Sequence, residues 1–520
     1  GSSLLTLAIG RDFFPYVDSG QMRLHVLPPA GTRIEQSELI FADIEAEIRR
    51  LLPPDRLDLI LDNIGLPNLS YNLGFGSIAT ISNSDGDILI SLRPGKRQTL
   101  EFTRMLRQKL QAKFPEETFF FTPANMTNQI LDFGLPAPID LQVVGRNPVQ
   151  NHQIALDLLR KVSAIPGAVD VHIHQQVSYP TVQVNVDRDK AQQIGLQQKD
   201  VANSMLISLS GSGQTAPNQW LNPETGVNYQ VVAQSPLYRI DSFEALQRTP
   251  ITASNGTNSQ LLANLASLKR DETAIVIDHY NIQPTLDIYA DVDQRDLGGV
   301  ASRIHEIIKQ TKNLPGGTVI DLRGEVSTME QSFSRLLIGI GFAVVIVYLL
   351  MAVNFQSWLD PFIILMALPG AFSGILWMLY LTQTTFSVPS LMGSIMTIGV
   401  ATANSILLVV FANDERANNK DQMEAALSAG YIRLRPVIMT ALAMIIGMLP
   451  MALAFGEGGE QNAPLGRAVI GGLLVATVGT LFIVPIIYSF LRKKPPIDYD
   501  EKIDREYKGE PIDEPKPQKS

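Results

Sequence analysis

Four stretches toward the C-terminal end of this 520-residue chain, 336–359, 361–413, 436–456 and 468–491, contain no Asp, Glu, Lys, Arg or His. The hydrocarbon core of a bilayer is crossed by a helix of roughly 20 apolar residues. The first, third and fourth runs therefore supply one span each, and the second is long enough for two. That second run is cut between Leu381 and Pro389, where Thr382, Gln383, Thr384, Thr385 and Ser387 interrupt the apolar pattern and Pro389 suits a first helical turn. Five transmembrane helices are predicted, near 334–353, 361–381, 388–412, 436–455 and 467–491. A soluble fold would have to bury all of these uncharged residues at one end of the molecule.

Short connections report orientation. The segment 414–435 carries Arg416, Lys420, Arg433 and Arg435, and the last span runs into Arg492, Lys493 and Lys494. Both face the cytoplasm by the positive-inside rule. The opposite connections, 382–387 and 457–467, hold the single cation Arg467, which puts the region 11–330 on the extracytoplasmic side. Lys+Arg total 42 against 51 Asp+Glu, a net charge of −9, the reverse of a nucleic-acid binder's balance. With no cysteine, disulfides, thiolate metal sites and cysteine nucleophiles are excluded.

Ahead of the spans the apolar period alternates between two and about 3.6. Gln21 to Leu27 reads as a strand, Thr32 with Glu35 as a capping box, Ile34 to Leu51 as an amphipathic helix and Leu57 to Ile64 as a strand. Ile88 to Leu92, Thr99 to Phe114 and Thr118 to Thr122 repeat the scheme. A third unit comprises Ile139 to Val144, a helix near Val149 to Ile165, Val169 to Ile173 and Val182 to Val186; a fourth comprises Leu286 to Ala290, Leu297 to Ile308 and Val319 to Leu322. Paired units of this kind predict an α+β fold of two open-faced split β-α-β (ferredoxin-like) sandwiches. Between the third and fourth units, the Ser-, Gly-, Asn- and Pro-rich stretch Leu196 to Asp278 reads as an inserted domain whose loops suit docking of another protein.

The expected organisation is the end of a preceding span at 1–10, one sandwich at 11–133, a second at 134–190 and 279–330, the insertion at 191–278, the five-helix bundle at 331–492 and a disordered cytoplasmic tail at 493–520. The apolar Leu4 to Gly10 is too short to cross a membrane and follows no starting Met, so the chain is expected to be a fragment.

The order of a large extracytoplasmic region and five helices, with Asp12 to Gly20 (DFFPYVDSG), Leu27 to Thr32 (LPPAGT), Phe355-Gln356-Ser357-Trp358, Arg433-Leu434-Arg435-Pro436 and Gly456 to Pro464, resembles the C-terminal half of multidrug efflux pumps of the resistance-nodulation-division superfamily. The resemblance implies a proton-driven antiporter of the Gram-negative inner membrane, built with a missing N-terminal half and trimeric. It would pass amphiphilic compounds or drugs through a periplasmic adaptor to an outer-membrane channel. The sandwiches would be porter subdomains and the insertion a docking subdomain. No cofactor beyond the proton motive force is implied. Family relatives that export lipids or metal ions, and a non-transporting assembly subunit binding periplasmic partners, are the alternatives.

Proton coupling needs an ionisable group inside the membrane, and the four uncharged runs that make up the predicted spans supply no acidic, basic or histidine side chain. Where drug pumps of the family carry a lysine before an Asn in the tenth span, this chain reads Ala403-Asn404. Arg433 and Thr440 match the family's relay positions, and Thr397 shares a helical face with Asn404; these four are the candidate proton relay, against plain interfacial placement and interhelical hydrogen bonding worth about 1 kcal/mol. The spacings Gly393, Thr397, Ala401 and Gly472, Ala476, Thr480 suggest close helix packing, and Pro369-Gly370, Pro450 and Pro485 suggest bends. For substrate binding the resemblance points to the loop Gly65 to Gly76, with Leu66, Tyr71, Leu73 and Phe75. Asp170, His172 and His174 alternate along one strand at a spacing that could hold a metal, although an ordinary solvated sheet face is preferred and no metal site is assigned. There is no phosphate loop and no catalytic triad.

Overall fold

The computed structural model describes residues 5–66, 79–93, 98–132, 134–253, 259–311, 314–418, 420–456 and 458–493. They divide into two compact units: one takes the described residues of 20–291 and 304–325, the other those of 1–19, 292–303 and 326–520.

The first sandwich is a β-α-β-β-α-β run: β1 (Gln21–Leu27), α1 (Ile34–Leu51), β2 (Leu57–Ile64), β3 (Gly86–Leu92), α2 (Thr99–Lys113) and β4 (Thr118–Thr122). Its antiparallel sheet has the order β2-β3-β1-β4, the split β-α-β topology. Alternation decides which face the helices cover. Met22, Leu24 and Val26 of β1, with Ile88, Ile90, Phe119 and Phe121, pack under Phe41, Ile44 and Ile48 of α1 and Leu106 and Leu110 of α2. Each such side chain contributes about 1.5–3 kcal/mol by leaving water. The predicted capping box is absent: Thr32 turns its hydroxyl back onto the Pro29 carbonyl at 2.7 Å, closing the preceding turn, and Arg33 occupies the N-cap.

The second sandwich repeats the plan with β5 (Ile139–Val144), α3 (Pro148–Ser163), β6 (Ala168–Ile173), then, after the insertion, β14 (Gln283–Val292) and β15 (Val319–Gly324). β5 lies between β14 and β15, and β6 pairs with β14. Ile139, Leu141 and Val143 bury on one face of β5, as do Leu286, Ile288 and Ala290 of β14. The helix α5 (Leu297–Gln310) follows β14.

The insertion departs from the sequence reading in one respect. The strand at Val182 to Val186 is the end of a longer β7 (Tyr179–Val186), which joins no sandwich sheet. It pairs antiparallel with β12 (Ala266–Thr273), from Tyr179 opposite Thr273 to Val186 opposite Ala266. This two-stranded ribbon leads into a small core of Ala191, Leu196, Val201, Ile251, Leu262 and Leu265, which also takes in α4 (Gln198–Ser210). The remaining strands are β8 (Asn218–Leu221), β9 (Asn228–Val231), β10 (Pro250–Thr252), β11 (Ser259–Leu261) and β13 (Asp278–Tyr280).

The other unit is helical. Among the described residues five helices are long and apolar enough to cross a membrane: span 1 (Glu325–Phe355), span 2 (Leu359–Leu381), span 3 (Val388–Ala417), span 4 (Gln422–Ala452) and span 5 (Ala463–Leu491). They exceed the uncharged windows because helix continues past the apolar stretch at most ends. Span 2 breaks at Met366–Ala367 ahead of Pro369, and span 5 contains one π-helical turn at Gly479–Ile483 immediately before Pro485, whereas Pro450 sits inside unbroken helix. Spans 2, 3 and 5 form the packed interior; spans 1 and 4 bury only 11% of their apolar windows within this chain. Glycines allow the close approach. A Cβ on Gly472 would lie 2.5 Å from Thr397 Cγ2, and one on Gly393 would lie 2.7 Å from the Leu465 carbonyl oxygen. The small residues at four-residue spacing therefore serve packing.

Candidate functional site

The inner face of span 3 is a polar seam. Ser387, Ser390, Ser394, Thr397, Thr402 and Ser405 are all buried. Hydroxyls in hydrocarbon need partners, and three of these six bond back along their own helix: Ser390 to the Ser387 carbonyl at 2.7 Å, Ser394 to Ser390 at 2.8 Å and Thr397 to Gly393 at 2.9 Å. Lower down, Ser405 meets Thr480 of the π-helical turn at 3.1 Å, and Tyr488 donates its hydroxyl to Asn413 Oδ1 at 2.7 Å. At the end of the seam Asp360, 1% exposed, lies 3.2 Å from Arg492 Nη2. The sequence reading starts span 2 at residue 361 and so leaves this carboxylate outside. The helix begins at Leu359 and carries it in, and the spans are not free of acids. At the opposite end Arg467 donates to Thr384 Oγ1 at 2.6 Å and to the Ala452 carbonyl at 3.0 Å.

The four relay candidates do not form one chain of hydrogen bonds among the described residues. Thr397 is fully buried against Gly472, while Asn404 is half-buried at the edge of the same helix. Thr440 is exposed, its hydroxyl turned to the Val437 carbonyl at 3.0 Å, and Arg433 lies 3.9 Å over the Phe411 ring. Of the substrate-loop candidates, Leu66 is exposed; Tyr71, Leu73 and Phe75 lie outside the described residues.

A second polar centre lies in the sandwich unit, where the helix-free faces of the two sheets meet. The pairing that buries Leu24 on one side of β1 puts Arg23 and His25 on the other, opposite Asp87 of β3 and Phe120 of β4. His25 is fully buried; its Nδ1 is 2.9 Å from Asp87 Oδ1 and its Nε2 3.2 Å from Asp85 Oδ2. Burial alone would depress the imidazole, but the two carboxylates outweigh it and hold His25 above its ordinary value, while it holds Asp85 and Asp87 below theirs despite their own burial. Phe120 stacks on His25 at 4.5 Å and on His172 at 3.7 Å, and Tyr289 packs beside both His172 and His174.

The strand Asp170, His172, His174 is therefore not the solvated face expected. His172 is driven down to about 3 by burial, and Asp170 turns to Arg107 of α2, accepting at 2.8 and 2.7 Å. Among the described residues no group of three His, Asp or Glu side chains is placed to hold a metal. Alongside, Gln175 donates to Asp287 at 2.5 Å and Asp278 at 2.6 Å, and Gln142 donates to Asp140 at 2.9 Å. Burial raises Asp140 and Asp287 above the usual carboxylate range, with repulsion from Asp287 adding to the first and from Asp278 to the second.

A profile described as the AcrB/AcrD/AcrF family matches residues 1–492. The chain belongs to this family of resistance-nodulation-division transporters. It is 26% identical over 498 residues to the cobalt-zinc-cadmium resistance protein CzcA of Cupriavidus metallidurans, covering 94% of this chain and 45% of that protein. It is also 26% identical over 495 residues to protein HelA of Legionella pneumophila, covering 92% and 45%. An uncharacterized transporter of Haemophilus influenzae is 30% identical over 345 residues, 64% of this chain and 32% of that protein. Among solved structures, a heavy metal efflux pump matches with a TM-score of 0.76 at 26% identity, over 95% of this chain and 49% of that one. The chain thus spans about half the length of the relatives it matches. Members of the family are transporters, and the porter-like α/β sandwiches followed by five apolar helices place this one in the inner membrane, multi-pass, with a large periplasmic region.

Proposed function

We propose that this chain is part of an efflux transporter whose cargo is divalent metal ions, in exchange for protons. The supporting observation is the likeness to a heavy metal efflux pump through both the sandwiches and the spans, beside a relative named for cobalt, zinc and cadmium resistance. Efflux of amphiphilic compounds or drugs is the second reading, favoured by the absence of a three-ligand metal cluster among the described residues. The remaining half of the pump, a homotrimeric assembly, a periplasmic adaptor, an outer-membrane channel and surrounding lipid complete the proposed machine. Arg433, Thr440, Asn404 and Thr397 remain proposed as relay residues, and the loop holding Leu66, Tyr71, Leu73 and Phe75 as a substrate-facing element.

The deciding experiment is a deletion strain challenged in parallel with Co, Zn and Cd salts and with cationic dyes and detergents. Metal export predicts sensitisation to the salts alone, reversed by the intact gene. Sensitisation to dyes alone transfers the assignment to amphiphiles. In proteoliposomes an imposed pH gradient should drive transport, and Thr440→Ala or Asn404→Ala should slow it with the assembly intact; unchanged rates remove those residues from the relay.

A further inference from the structure

Asp360 of span 2 and Arg492, the residue that closes span 5, form an acid-base pair 3.2 Å apart between two helices of the bundle. Asp360 stands in the first turn of span 2, where the helix dipole favours an anion. Its side chain is 1% exposed and that of Arg492, at the end of span 5, 13%. Arg492 also donates to Ser357 Oγ at 3.3 Å, and the Asp360 amide lies 3.5 Å from the same hydroxyl. The nearby charge is Arg416, which donates to the Lys493 carbonyl at 3.1 Å.

Burying such a pair brings little net stability, because desolvation offsets the attraction, whereas removing one partner strands a charge. Its consequence is geometric, and the helix above supplies something to fix. The π-helical turn Gly479–Ile483 and Pro485 interrupt regular hydrogen bonding just before the closing segment Val484–Leu491, a junction at which helices bend. Without an anchor below it, that segment could take more than one angle to spans 2 and 3.

We propose that the Asp360–Arg492 pair is a positioning latch for transport, fixing the segment after the π-helical turn against the start of span 2. The inference rests on the transporter reading, and two measurements separate it from that reading. The first is amide exchange over 486–492 in the purified protein in detergent. Asp360→Asn and Arg492→Gln should each speed exchange by about tenfold or more, because each leaves an uncompensated charge, and the double variant should return to within about threefold of the parent. The second is transport by the same variants, compared at equal amounts of inserted protein: each single variant should lose about tenfold in rate, with Arg492→Lys and the double variant largely restored.

Unchanged exchange in the single variants, or losses that multiply in the double variant, would overturn the latch. So would altered exchange with wild-type transport. If the parent transports nothing, the efflux reading falls while exchange still decides whether the latch exists.

Discussion

The Nδ1 of His25 lies 2.9 Å from Oδ1 of Asp87, directly across an antiparallel pair of strands, with neither side chain in contact with water. Asp85 holds the other ring nitrogen at 3.2 Å, so the imidazole can satisfy both carboxylates only as a cation.

The signs give a pH window. A histidine held above its unfolded value contributes fully below about pH 6.5, and that contribution fades as pH rises through the folded value; aspartates held below theirs contribute above about pH 4 and are lost on further acidification. Stability of the first sandwich should therefore be greatest between about pH 4 and pH 6.5. His25→Gln should cost about 3 kcal/mol at pH 6 and flatten the decline above it. Thermal unfolding of the purified transporter at several pH values measures this. A parent protein whose stability climbs from pH 6 to pH 8 contradicts the assignment.

Arg107 makes a two-pronged pair with Asp170, whose backbone sits at φ +55, a region unfavourable for most side chains but tolerated by Asn. Asp170→Asn keeps the backbone preference and removes the charge, so it isolates the pair. It should destabilise the sandwich unit by about 3 kcal/mol, while Arg107→Met with Asp170→Asn should recover most of the loss. Equal destabilisation in the single and double variants would mean that the pairing carries nothing.

Legibility in the sequence follows the range of the forces. Strand β1 was readable residue for residue because Met22, Leu24 and Val26 alternate toward a helix layer encoded a few residues away. The five spans were readable because missing charge is a local property of the chain. Contacts made at a distance were not. Nothing near His25 announces Asp85, 60 residues on, and β7 gives no sign that its partner is β12 rather than a sandwich strand. Asp360 was missed for a subtler reason: a charge at the edge of an apolar run looks like the run's boundary, and only the buried guanidinium of Arg492 reveals that the helix carries it inside. The relay positions Arg433 and Thr440 rest on resemblance and Thr397 with Asn404 on a shared helical face, and contacts within this chain join the four by no shared hydrogen bond among the described residues.

His172 provides a contrasting histidine. Stacked 3.7 Å from Phe120 and driven to about 3 by burial, it stays neutral throughout the physiological range. His172→Phe keeps the stack and should change stability by less than about 1.5 kcal/mol with no effect on pH dependence. Histidine-selective NMR should find a ring that does not titrate above pH 4. A titration near pH 6 would place water in the interface between the sandwiches and refute the packing described.

In the membrane the sharpest test is steric. Gly472 brings span 5 so close to span 3 that a Cβ there would lie 2.5 Å from Thr397 Cγ2, with Ile375 Cγ1 of span 2 at 2.9 Å. Neither neighbour is a flexible chain end, so both helices must shift, and Gly472→Ala should cost about 1–3 kcal/mol through overpacking. Thr397→Ser removes the offending methyl while keeping the hydroxyl bonded to the Gly393 carbonyl at 2.9 Å. If the close approach is real, Gly472→Ala with Thr397→Ser should recover at least about half of the loss, a coupling that two independent defects cannot produce. Thermal unfolding of the detergent-solubilised protein reads it out, and strict additivity of the two substitutions would show that spans 3 and 5 do not meet at this pair.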